Sequence, residues 1–171
     1  MKNKQFIFVI SALVVSLFYV FNCEAASTNE IKFSIPSGWQ ITPKEKLPQS
    51  PISTWVINTT NTNKGAVILV MRELGLLPLQ ALKNEYEKSF PKRQANYKQI
   101  VSEIRDAKGL GQHLYMLYNA LTQNGSDSRT LMYVISGKKG RYIVTMKSHP
   151  DSGAKFDSDL ITVCKSIRAA N

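Results

Sequence analysis

The chain has 171 residues, 43% of them hydrophobic, and a formal net charge of +10. That length suits one domain around one sizeable core. The two cysteines, Cys23 and Cys164, lie in segments that processing would separate, which excludes a fold held by an internal disulfide.

The N-terminus carries Lys2 and Lys4, an apolar run from Phe6 to Phe21, and then Asn22-Cys23-Glu24-Ala25-Ala26. Positive charge, an apolar stretch and a small-residue exit are the three parts of a secretory signal peptide. The run is shorter than the ~20 residues of a spanning helix. The expectation is cleavage near Ala25 or Ala26, with residues 1–25 as signal peptide and 26–171 as a single domain. An uncleaved anchor and a lipid on Cys23 are the rival readings. Phe21 and Asn22 fit a lipoprotein site poorly, because its peptidase prefers small residues there. Removal of Lys2, Lys4 and Glu24 takes the net charge from +10 to +9. A basic exported domain points to an acidic protein, an acidic polysaccharide or an anionic membrane surface. Export, periplasmic or fully secreted, argues against a nucleic-acid partner.

Downstream, Ile31, Phe33 and Ile35 alternate with Lys32 and Ser34, the period of a half-buried strand. Pro36-Ser37-Gly38 ends it, and Trp39 and Ile41 resume the apolar pattern. Thr42 to Pro51 reads as an irregular loop and Thr54 to Ile57 as a strand. Asn58 to Gly65 is turn-rich. Ala66 to Met71 is dense in Val, Ile and Leu, as in a central strand.

Leu77-Pro78 opens a helix whose Leu79, Leu82, Tyr86 and Phe90 form one apolar stripe, with Pro91 marking its end. Tyr97 to Arg105 is extended, with Ile100 and Ile104 on one face, and Asp106 to Gly109 is a turn. Gln112 to Thr122 is a long strand, apolar on both faces. Asn124-Gly125-Ser126-Asp127 is a hairpin signal, and Arg129 to Ser136 returns. Gly137-Lys138-Lys139-Gly140 turns again into Arg141 to Ser148. The last helix spans about Ala154 to Arg168. Phe156, Leu160, Val163, Cys164 and Ile167 face inward, while Asp157, Asp159 and Lys165 stay in water. The fold class is α+β, an antiparallel sheet with helices packed on it.

This order of elements resembles the PsbP-like fold family, which includes the Ran-binding Mog protein and DcrB-type exported bacterial proteins. The matching features are Phe33-Ser34-Ile35-Pro36 with Gly38-Trp39, the helix after the first strands, and the long strand from Gln112 to Thr122. The hairpin through Arg141-Tyr142 and the terminal helix from Phe156 to Ser166-Ile167 complete them. The resemblance covers nearly all of residues 31–168. It implies an α/β/α sandwich and a protein that binds partners or assists assemblies, and it supplies no catalytic set.

The residues themselves offer little chemistry. There is no Gly-x-Ser-x-Gly elbow, and Lys138-Lys139 lacks the spacing of a phosphate loop. His113 in an apolar strand reads as a buried, hydrogen-bonded side chain. His149 with Asp151 is too small a set for a metal. Cys164 lies on a buried stripe, where a thiol is inert. Asp157 and Asp159, two apart on a helix, point in different directions. No catalytic, cofactor or metal residue is assigned, and no cofactor is expected. A small secreted hydrolase built from distant residues and a membrane-tethered assembly factor are the alternative functions.

One specific binding expectation remains. Lys138, Lys139 and Arg141 surround one tight turn, with Tyr142 and Lys147 on the same hairpin, and are read as a positive rim with an aromatic contact. A second basic group is Lys88, Lys92, Arg93 and Lys98, at the end of the first helix.

Overall fold

The computed structural model describes residues 31–42, 54–59, 65–73, 75, 77–122, 124–151 and 153–170. The signal segment and the Thr42–Pro51 loop beyond Thr42 lie outside the described residues. Alternating side chains and tight turns produce the strands β1 (Trp39–Ile41), β2 (Thr54–Thr59), β3 (Ala66–Glu73), β4 (Lys98–Ala107), β5 (Gly111–Leu121), β6 (Asp127–Gly137) and β7 (Gly140–Ser148). Apolar stripes produce two helices, α1 (Leu79–Arg93) and α2 (Asp157–Ala170). A 3-10 turn, Gly153–Phe156, leads into α2.

The strands form one sheet in the order β1-β2-β3-β7-β6-β5-β4. Every neighbouring pair is antiparallel. Two meanders meet where β3 pairs with β7. Helix α1 makes the long crossover between them, carrying the chain from β3 to the far edge. The sheet buries both faces. Ile68, Val70, Leu131, Tyr133, Ile135, Tyr142, Val144 and Met146 pack against Leu160, Val163, Cys164 and Ile167 of α2. Leu69, Met71, Leu114, Met116, Met132, Val134 and Ile143 pack on the opposite face with Leu82 and Phe90 of α1. Burial of each such aliphatic side chain contributes about 1.5–3 kcal/mol, which orders the two layers of helix around the sheet. The α/β/α sandwich expected from the sequence is the architecture observed.

Four expectations are corrected. Residues 31–36 form no strand. Ile31 is buried in the α2-side core, and the Ser34 amide donates to Ser166 Oγ at 2.9 Å, so this stretch lies along α2 instead of joining a ladder. Helix α1 runs past Pro91 to Arg93. The ring removes one donor from the last turn, and the Gln94 amide still closes onto the Phe90 carbonyl at 3.0 Å. Ile100 and Ile104 do not belong to one unbroken alternation. The register shifts between Gln99 and Val101, so Ile100 is the extra residue of a bulge and stands half exposed. Asp157 and Asp159 are bonded to protein and not merely solvated. Arg129 forks onto Asp157 with two bonds of 2.8 Å, and Trp39 Nε1 donates to Asp159 Oδ2 at 2.9 Å. These bonds pin α2 to β6 and β1.

Candidate functional site

Strand parity decides where the hairpin residues go. Lys138 and Lys139 sit exposed at the turn between β6 and β7. Arg72 joins them by donating to the Lys139 carbonyl. Arg141 lies next on β7, opposite Glu73 of β3. Its guanidinium is 3.3 Å from Glu73 Oε2 and also bonds the Leu77 carbonyl, so it ties the chain just before α1 to the sheet. Burial raises the Glu73 carboxyl above its ordinary range, against the Gly75 amide bond and the Arg141 charge, which pull it down.

Tyr142 points the other way and is buried in the α2-side core. Lys147 returns to the face of Arg141, but at about 3.3 Å per residue it stands ~20 Å along the strand. The five residues of the expected rim therefore do not form one surface. The hairpin tip gathers Lys138, Lys139 and Arg72. Arg141 is committed to Glu73, Tyr142 to the core, and Lys147 to a separate place.

Lys147 sits between Val67 of β3 and Thr130 of β6 on the α1 face. Helix α1 crosses this face diagonally. It starts beside Arg141 and ends beside Tyr118 and Leu121, where Gln94 Nε2 donates to Tyr118 Oη at 3.2 Å and the Leu121 amide bonds the Ala95 carbonyl at 2.9 Å. Burial alone lowers the Lys147 ammonium to about 8, and no described residue pairs with it. The sequence signal was present: Lys147 shares parity with the inward Ile143 and Thr145.

The second basic group falls at and just beyond the C-terminal end of α1. Lys88 and Lys92 are one helical turn apart on α1, Arg93 closes the helix, and Lys98 opens β4. Asn96, in the left-handed region at φ 51°, turns the chain between them. All four cations are exposed, and none has an ion pair among the described residues. The negative end of the helix dipole favours the cations of its last turn, Lys92 and Arg93. By contrast, Lys83 on the β4 side of the same helix is neutralised by Glu87 at 2.8 Å.

The groups capable of chemistry are otherwise engaged. His113 is buried, stacks on Tyr133 at 5.5 Å, and its Nδ1 lies 2.7 Å from the Gly111 carbonyl. His149 Nδ1 is 3.5 Å from Asp151 Oδ2 in an open turn. No cluster of three His, Cys, Asp or Glu suited to a metal occurs among the described residues. Cys164 is fully buried, which pushes its thiol well above the usual range.

No sequence family matches the chain, and no curated protein is similar to it. Solved structures are. PA94 from Pseudomonas aeruginosa, a protein of unknown function, aligns with a TM-score of 0.54 at 16% identity, over 77% of this chain and 86% of its own. Cyanobacterial PsbP (CyanoP) from Synechocystis aligns with a TM-score of 0.50 at 16% identity, over 86% of this chain and 96% of its own. The fold is PsbP-like. LpqN, involved in cell envelope biogenesis of Mycobacterium tuberculosis, aligns with a TM-score of 0.50 at 10% identity, over 78% and 79%.

Proposed function

We propose that this PsbP-like chain is an exported, non-enzymatic accessory module of the cell envelope that holds an anionic partner at Lys88, Lys92, Arg93 and Lys98. The observation that carries the reading is that the last turns of α1 and the start of β4 present four exposed cations with no ion pair among the described residues. Such a cluster raises the local potential and favours an anionic surface in encounter and in register. The hairpin tip, with Lys138, Lys139 and Arg72, is a second and smaller positive feature.

Export rests on the charged, apolar and small-residue order of the first 26 residues. No helix among the described residues is long and apolar enough to cross a membrane. The accessory role is supported by LpqN, a structural neighbour that takes part in envelope biogenesis. It is also supported by the engagement of Asp157, Asp159, His113 and Cys164 in packing and structural bonds.

The test is recovery of bound material from the cell envelope with the mature protein as bait. Wild type and the variant Lys88→Glu/Lys92→Glu/Arg93→Glu/Lys98→Glu are compared. Loss of captured anionic material by the variant supports the reading, and equal capture contradicts it. Intact mass of the protein recovered from the envelope reports whether the leading segment has been removed.

A further inference from the structure

We propose that β4 is a self-complementary edge through which two copies of the chain join their sheets. The sheet ends on β4 at one side and on the short β1 at the other. The outer backbone of β4 pairs with no described strand. Unpaired edges are normally blunted by charge or by a bulge. Here the bulge at Ile100 interrupts only the start of the strand. It leaves Val101 to Ala107 as a regular run.

That run reads Val-Ser-Glu-Ile-Arg-Asp-Ala. A twofold axis through Ile104 pairs it antiparallel with its own copy. Ile104 then faces Ile104, and Glu103 faces Arg105 twice. Ser102 faces Asp106, and Val101 faces Ala107. Opposed residues share a face in an antiparallel pair, so both Glu103–Arg105 pairs lie on the α2 face and the isoleucines meet on the α1 face. Within one chain Glu103 and Arg105 already pair along the strand, with Arg105 lying over the Tyr115 ring at 3.6 Å. Both charged side chains nevertheless remain exposed on that face.

Neighbouring registers fail on charge or on the bulge. An axis through Glu103 opposes Glu103 to itself, and an axis through Arg105 opposes Arg105 to itself. An axis through Ser102 would require the bulged Ile100 to pair with Ile104. Like charges directly opposite are destabilising, so the sequence selects the Ile104 register.

The helices leave this edge accessible. Helix α2 packs against β6 and β7, and α1 covers only the first half of β4, where Glu87 accepts from Gln99 Nε2 at 3.4 Å and also meets Ser102. Glu103, Arg105, Asp106 and Ala107 are exposed.

Sedimentation velocity on the purified full chain, in the N-terminal form the cell leaves, reads the association. Wild type is expected to show a concentration-dependent dimer. Arg105→Glu and Glu103→Arg each weaken it about tenfold, and the double reversal returns it to within about threefold of wild type. Glu103→Arg keeps the Arg105–Tyr115 contact, so it reports even if Arg105→Glu loses its fold. Ile104→Cys, placed opposite itself, forms an intermolecular disulfide on oxidation, whereas Ser102→Cys does not. A protein that stays monomeric up to about 1 mM overturns the proposal, as does a dimer that ignores the single reversals.

Discussion

Arg141 stands directly opposite Glu73 across the β3–β7 pair, with Nη1 3.3 Å from Oε2, and the same guanidinium bonds the carbonyl of Leu77. One side chain thus joins the two meanders and fixes where α1 leaves the sheet. Arg141→Ala would strand a largely buried carboxylate whose burial already disfavours its charge. The expected loss is about 2 kcal/mol of unfolding free energy, read as a lower urea midpoint. Glu73→Gln in the Arg141→Ala background should recover part of it, because the uncompensated charge is then gone. Equal midpoints for Arg141→Ala and wild type would show that the pair carries no stability.

Arg129 and Asp157 make the corresponding tie on the α2 face, with two parallel bonds of 2.8 Å. Lysine keeps the charge but cannot fork. Arg129→Ala should therefore cost about 2 kcal/mol, with Arg129→Lys intermediate. Thermal unfolding of the three proteins checks the order, and a lysine variant as stable as wild type would contradict it.

Lys147 gives a pH dependence of known sign. Its folded value of about 8 lies below the ordinary 10.5. Between those values the unfolded chain binds more protons than the folded one, so stability rises with pH across that window. Below pH 8 both states are protonated and the full cost of burying the ammonium is present. Lys147→Met should raise stability at pH 7 and flatten the slope between pH 8 and 10.5. Trace acetylation followed across pH, with peptide mapping, should find Lys147 half reactive near pH 8, well before the exposed lysines. Reactivity in step with the exposed lysines would refute its burial.

Much of the architecture was legible because alternation and turn chemistry carry it. Asn124-Gly125 and Gly137 to Gly140 fix the two hairpins of β5, β6 and β7, and the stripe Leu160, Val163, Cys164 and Ile167 fixes the buried side of α2. Alternation reports burial and not hydrogen bonding, however. Ile31 and Phe33 pack as a strand would, yet the Ser34 amide goes to Ser166 and no ladder forms. The bulge at Ile100 left no local mark, since no glycine accompanies it.

The expected rim failed for a different reason. It equated closeness in sequence with closeness in space. Along β7 the same closeness sends Tyr142 to the opposite face of the sheet from Arg141, and strand rise carries Lys147 far from the turn. On a helix the spacing of three or four residues returns to one side, so Lys88 and Lys92 lie one turn apart on α1.

The central claim is that this helix-end cluster, and not the overall excess of positive charge, holds the partner. Retention on immobilised polyglutamate across a salt gradient separates the two. The quadruple Glu variant at Lys88, Lys92, Arg93 and Lys98 is compared with a control of equal charge carrying Lys32→Glu, Lys108→Glu, Lys155→Glu and Lys165→Glu, all exposed positions outside both basic groups. The account predicts that the cluster variant elutes at much lower salt while the control stays near wild type. Equal losses in the two variants, or a greater loss in the control, would contradict it.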